Sequence, residues 1–259
     1  MKRLDQLLQN KNSRVVNIYF TAGYPGLDST MSIIRLLEKH GAGLIEVGMP
    51  FSDPLADGPV IQESSRIALE NGMNTDLLFE QLKSLRPATQ IPVVLMGYLN
   101  PVLQYGMEKF LSRASSCGID GLILPDLPPE IYESQYLSLF EKYEIYPIFL
   151  VTPQTQQDRL HYLDSLSKGF LYAVSSSATT GGKSGFNKDH LAYFERLAST
   201  TLKNPLMIGF GISTNESLET VFRFASGAII GSAFIKNLNE NAEDFGISEF
   251  MNQLLNKSK

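Results

Sequence analysis

Glu46, Asp53 and Asp57 are the residues of this chain whose types and spacing could do proton chemistry. Glu46 lies inside the apolar run GLIEV, residues 43–47, bounded by Gly43 and Gly48. Such a run reads as a short buried strand. A carboxylate buried there without a partner costs several kcal/mol, so a strand rarely carries one by accident. The loop that follows holds three prolines, Pro50, Pro54 and Pro59, and the two aspartates. A strand acid facing a long loop with a second acid is the layout of an acid/base site. The structural alternative is that Glu46 pairs with a nearby Lys or Arg, while Asp53 and Asp57 cap the helix that follows.

The elements that must hold these acids are legible as a repeat. Eight short β-rich runs recur along the chain: VVNIYF from Val15, GLIEV from Gly43, IPVVLMG from Ile91, IDGLILP from Ile119, IYPIFLV from Ile145, GFLYAVS from Gly169, PLMIGFG from Pro205 and GAIIG from Gly227. Amphipathic stretches such as MSIIRLLEKHG and DHLAYFERLAS separate them. Eight apolar strands, each followed by a helix, are the pattern of a parallel α/β barrel, a single (β/α)8 TIM barrel. An open doubly wound sheet is the competing arrangement. Before the first strand, MKRLDQLLQNK places Leu4, Leu7 and Leu8 on one face of an extra N-terminal helix. A C-terminal helix is expected from about Asn239 to Lys259. No linker or composition shift divides the chain, so residues 1–259 read as one domain.

A barrel puts function at the C-terminal ends of its strands, often with phosphate held by the loops after strands seven and eight. Gly211 and the pair Gly231–Ser232 fall at those exits, and Gly181 follows strand six within SSSATTGGKSG. Glycine lets backbone N–H groups approach an anion, and a helix N-terminus adds partial positive charge. Taken singly, each glycine is equally a plain turn or helix stop.

The remaining chemistry is narrowed by exclusion. His40, His161 and His190 fall on or at the ends of outer helices, and no two share metal-ligand spacing, so no metal is expected. Cys117, the one cysteine, reads as a small core residue at a helix end. No nucleophile elbow, phosphate-binding P-loop or dinucleotide fingerprint is present. The 259 residues are 43% hydrophobic and 19% charged with a net charge of −5, which argues against nucleic acid or an anionic membrane as partner. With a single cysteine, no leader-like apolar stretch at the start and no long apolar run, the expected location is cytoplasmic.

The block PFSDPLADGP at Pro50–Pro59, following a strand glutamate, resembles the signature of the tryptophan synthase alpha subunit family. The likeness extends through the YPG turn at Tyr24–Gly26, LMGY and NP between Leu95 and Pro101, LPDLP at Leu124–Pro128 and GFGIS at Gly209–Ser213. It implies a lyase of tryptophan biosynthesis that cleaves indole-3-glycerol phosphate to indole and glyceraldehyde 3-phosphate by a retro-aldol step. It also implies Glu46 and Asp57 as the catalytic pair, with Glu46 as acid/base and Asp57 near the ring N–H. Gly181, Gly211, Gly231 and Ser232 match the family's phosphate residues. Tyr19, Met96, Tyr172, Phe210 and Ile229 match its indole pocket, with barrel filling as the alternative for each. Thr180 matches the residue that closes over the substrate. Tyr19 stands where many relatives carry Phe, and the strand-six loop is richer in glycine than theirs.

The resemblance further implies no cofactor in this chain and a pyridoxal-phosphate-dependent beta subunit as partner in an alpha2-beta2 complex. Pro54–Leu55–Ala56 and Asn100–Tyr105 are the expected contacts. A stand-alone lyase of the same fold, and a barrel kept as a non-catalytic allosteric subunit, are the alternatives. A remoter one is another phosphosugar barrel isomerase.

Overall fold

A computed structural model describes residues 2–9, 13–174, 186–209, 211–240 and 244–256. All eight expected strands are present: strand one Val15–Thr21, two Leu44–Gly48, three Val93–Met96, four Gly121–Ile123, six Leu171–Val174, seven Leu206–Gly209 and eight Gly227–Ile230. Strand five is in two pieces, Tyr146–Pro147 and Leu150–Val151. Every pairing is parallel, and the order runs from the first piece of strand five through four, three, two, one, eight, seven and six to its second piece. The two ends of the sheet are therefore one stretch of chain. Ile148 N–H donates to Leu122 O on one side, and Tyr172 N–H donates to Phe149 O on the other. The ring closes, as the barrel requires.

Parity along the strands sorts the side chains into two cores. Alternate residues such as Ile18, Phe20, Ile45, Val47, Val93, Leu95, Ile208 and Ile230 pack outward against the helices. The other set, including Val15, Leu44, Val94, Ile123, Ile148, Tyr172, Met207 and Ile229, fills the ring. Each fully buried Leu, Ile or Val contributes about 1.5–3 kcal/mol of transfer free energy. The helix Arg3–Leu8 plugs the N-terminal mouth: Leu4 and Leu8 belong to the inner core. Below them, Asp120 pairs with Arg86 Nη2 at 2.7 Å and Arg3 Nε at 3.0 Å and accepts Val93 N–H. This clamp fastens the plug and the starts of strands three and four.

The helix Asp244–Leu255 packs outside, against Thr30–His40 and Ser232–Glu240. The helix Pro59–Glu70 begins directly after the acidic loop and buries only Ser64, Ser65 and Ala68 completely, so its core face carries little apolar signal. The helix Leu99–Tyr105 contains the expected partner-contact segment Asn100–Tyr105, its first N–H taken by the Asp126 carboxylate at 2.9 Å.

Candidate active site

Register sets the site. Strand two pairs Glu46 with Tyr19 on strand one and with Val94 on strand three. Those positions all have inward parity, so Glu46 points into the ring and is fully buried. Its Oε2 accepts from Asn17 Nδ2 at 3.0 Å, while Oε1 has no partner among the described residues. Among the described residues no Lys or Arg pairs with Glu46, which sets aside there the structural alternative. Burial pushes the carboxyl up from its ordinary 4.5 to about 8; the Asn17 hydrogen bond opposes that rise and the charge of Asp57 adds to it. At neutral pH Glu46 is therefore mostly a neutral acid.

Asp57 sits in the loop over this residue. Tyr98 Oη donates to its Oδ2 at 3.0 Å, and the same hydroxyl accepts Ala56 N–H at 3.0 Å, so one tyrosine fixes both the loop and the carboxylate. Burial raises the Asp57 carboxyl and the Tyr98 bond lowers it. Asp57 does not cap Pro59–Glu70, whose N-cap is Gly58 with no side-chain bond. Asp53 is exposed and takes the Ser52 hydroxyl, which leaves it outside the cluster.

Tyr19 and Tyr172 complete the group. Both are buried, and burial first, then neighbouring carboxylates, hold both phenols far above their ordinary ionisation: Asp57 and Glu46 act on Tyr19, Glu46 and Asp57 on Tyr172. They remain neutral hydroxyls. Each ring lies against a strand-end glycine. A Cβ on Gly48 would meet Tyr19 Oη at 2.2 Å, and one on Gly209 would meet Tyr172 Cε2 at 2.5 Å. Only glycine leaves room for these rings. Met96 and Ile229 also face inward, but Ile229 pairs with Asn17 in register and packs in the inner core, one layer below Tyr19.

Gly231 is nearer the rim and lies against the Tyr19 ring: an added Cβ would meet Cδ1 at 3.3 Å, closer than ordinary contact. Ser232 opens the helix Ser232–Glu240, which presents free N–H groups at its start. Gly211 has φ +61°, a conformation that favours glycine, just before the capped helix Asn215–Val221. Thr180, Gly181 and Phe210 lie outside the described residues. Sequence reasoning passed over Asn17 and Tyr98, the two direct partners of the acids. Asn17 carried a signal of the same kind as Glu46, a polar side chain inside the apolar run VVNIYF. Among the described residues no group of three His, Cys, Asp or Glu side chains could hold a metal ion, and no helix is long and apolar enough to cross a membrane.

Comparison with known proteins converges on one family. The family model described as "Tryptophan synthase alpha chain" matches residues 4–257. The alpha chain of Flavobacterium psychrophilum is 53% identical over 254 residues, covering 98% of this chain and all of that one. That of Christiangramia forsetii is 54% identical over 93% of this chain and 94% of its own length. Among solved structures, the alpha chain from Legionella pneumophila superposes with a TM-score of 0.87 at 34% identity, covering 99% of this chain and 97% of that one. A mutant alpha-subunit from Pyrococcus furiosus gives 0.85 at 33%, covering 93% and 98%.

Proposed function

The chain belongs to the tryptophan synthase alpha chain family, and from that premise we propose how its residues divide the work. Its activity is the cleavage of indole-3-glycerol phosphate to indole and glyceraldehyde 3-phosphate, a lyase step of tryptophan biosynthesis. The bond from indole C3 to the glycerol chain breaks once C3 carries a proton and the ring can accept electrons. Glu46 in its acid form gives that proton to C3. The carboxylate left behind takes the proton of the adjacent side-chain hydroxyl as the carbon–carbon bond opens, so a carbonyl forms, indole leaves and the acid is restored. One carboxyl serves as both acid and base, and protons balance over the cycle. Asp57, held by Tyr98, accepts the ring N–H and offsets the positive charge of the protonated indole.

The observation that carries this reading is the fully buried Glu46 carboxyl inside the ring, one of its oxygens without a partner among the described residues, beside two neutral tyrosines. Tyr19, Met96, Tyr172, Phe210 and Ile229 line the aromatic end of the substrate site, with Ile229 in the floor. Gly181, Gly211, Gly231 and Ser232 hold the phosphate through backbone N–H groups. Thr180 is assigned the role of closing over the bound substrate. The 259 residues form one catalytic domain.

Free indole is small and apolar, and a beta subunit receives it. We place that partner, carrying its own pyridoxal phosphate, in an alpha2-beta2 assembly in the cytoplasm, while this chain uses no cofactor. Leu55, 94% exposed, and Leu103, 44% exposed, stand on neighbouring strand exits as the apolar contacts. Cleavage of indole-3-glycerol phosphate by the chain, alone and with a beta subunit, tests the reading. Wild type should turn over slowly alone and faster in the complex, and Glu46→Gln and Asp57→Asn should lose about 10²-fold or more. Full turnover by Glu46→Gln would overturn the assignment, and fast turnover without partner would favour a stand-alone lyase.

A further inference from the structure

Asn17 takes no part in the steps just described, yet it is the one side chain that bonds to the Glu46 carboxyl among the described residues. It sits in strand one two residues before Tyr19, fully buried, level with Leu44 and Ile229. An amide among apolar neighbours costs free energy unless it is paired. Its Nδ2 spends that pairing on Glu46 Oε2 at 3.0 Å, and its Oδ1 bonds to nothing among the described residues. The opposite oxygen of the same carboxyl, Oε1, is likewise unpaired. The contact thus divides the carboxyl into one engaged oxygen and one free oxygen.

We propose that Asn17 is a positioning residue for Glu46, whose N–H keeps Oε2 an acceptor and so confines the transferable proton to Oε1. The proposal rests on the reading of Glu46 as the acid/base. An oxygen that receives an N–H along its lone pair has no use for a proton pointing the same way, so the acid form is O–H at Oε1 and C=O at Oε2. The anion gains from the same N–H, because a donor to the charged form favours it. Asn17 therefore acts in both halves of the cycle: it aims the acid's proton towards the open side of the ring, and it limits how far burial weakens the acid. Among the described residues, the titratable groups facing Glu46 are Tyr19 on strand one, Asp57 on the loop after its own strand and Tyr172 on strand six. Strand three contributes Val94. Both tyrosines stay neutral and Asp57 raises the carboxyl, so Asn17 is the neighbour that counters burial.

The test is the pH dependence of kcat for indole-3-glycerol phosphate cleavage in the complex with a beta subunit, for wild type, Asn17→Leu, Asn17→Asp and Glu46→Gln. The infrared carbonyl band of the protonated carboxyl, assigned by its loss in Glu46→Gln, is titrated alongside. In wild type the activity declines on the alkaline side as Glu46 loses its proton. In Asn17→Leu that limb and the carboxyl band should move together to higher pH by about one unit. At neutral pH kcat should fall about tenfold, with KM changed less than about twofold because the amide touches Glu46 and not the substrate. Asn17→Asp keeps the side chain's shape and adds a like charge, so it moves the limb the same way, and it decides the matter should the leucine variant fail to fold. An unmoved limb and band overturn the proposal. So does a downward shift, the mark of a reversed amide that accepts the acid's proton. Should Glu46→Gln itself stay active, the acid/base reading falls and this inference with it; a dead Glu46→Gln beside an unmoved Asn17→Leu removes only the inference.

Discussion

Glu46→Gln should stabilise the protein, and increasingly so as the pH rises. Folding lifts the carboxyl from 4.5 to about 8, so between those values the native chain holds a proton that the unfolded chain has released. Stability from this group is therefore fully present below about pH 4.5 and is lost as the pH climbs to about 8. At about 1.36 kcal/mol per pH unit the loss amounts to roughly 5 kcal/mol. That is a large part of the roughly 5–15 kcal/mol that keeps a domain folded. Glutamine carries no such proton, and its side-chain oxygen can still accept from Asn17. Urea unfolding of both proteins at about pH 5, 7 and 9 measures the gap. The two should agree within about 1 kcal/mol at the lowest pH, and the variant should lead by about 1.4 kcal/mol more per unit until the gap levels off above about pH 8. A gap that stays flat across the range would refute a neutral buried acid at this position.

Other perturbations probe the cage around it. Gly48→Ala drives a methyl group into Tyr19 Oη, and should cost about 1–3 kcal/mol in thermal unfolding together with a raised KM, whereas an unaltered KM would separate Tyr19 from the substrate site. Tyr98→Phe removes the donor that lowers the Asp57 carboxyl, so Asp57 gains its proton at higher pH and the acid side of the kcat profile should move up; an unchanged profile would detach Asp57 from the reaction. Asp120→Ala strips the partner from Arg86 and Arg3 at the opposite mouth, and should destabilise by about 3 kcal/mol while leaving kcat of the folded enzyme intact.

The barrel was legible because its strands are apolar on both faces and its helices are not. GLIEV, IPVVLMG and PLMIGFG each stand out against the amphipathic stretches, and each appears in the ring. Strand five reads in sequence as one unbroken run, IYPIFLV, yet it is divided. Pro147 has no N–H to give, and the Phe149 N–H turns to the Ser167 hydroxyl at 3.1 Å instead of the ladder. Pro59–Glu70, the helix expected after the acidic loop, shows no apolar stripe in the sequence because serines and an alanine form its fully buried face. Within the site, Glu46 and Asp57 were visible as acids in the wrong place for a core and a loop. What no one-dimensional reading supplied was partnership: that Asn17 reaches Glu46 from the next strand, that Tyr98 reaches Asp57 across 41 positions, and that Gly48 and Gly209 exist to admit two rings. Those facts follow from register and steric fit, which only the closed barrel creates.

The central claim is that the unpaired oxygen of Glu46 meets the reacting carbon. A crystal of Glu46→Gln in complex with a beta subunit, soaked with indole-3-glycerol phosphate, tests it directly. Uncleaved substrate should be seen with indole C3 and the neighbouring hydroxyl both within about 3–3.5 Å of the residue-46 side chain, its ring N–H on Asp57 and its phosphate between Gly211 and Ser232. Substrate bound with C3 turned away from residue 46, or already cleaved in this variant, would contradict it.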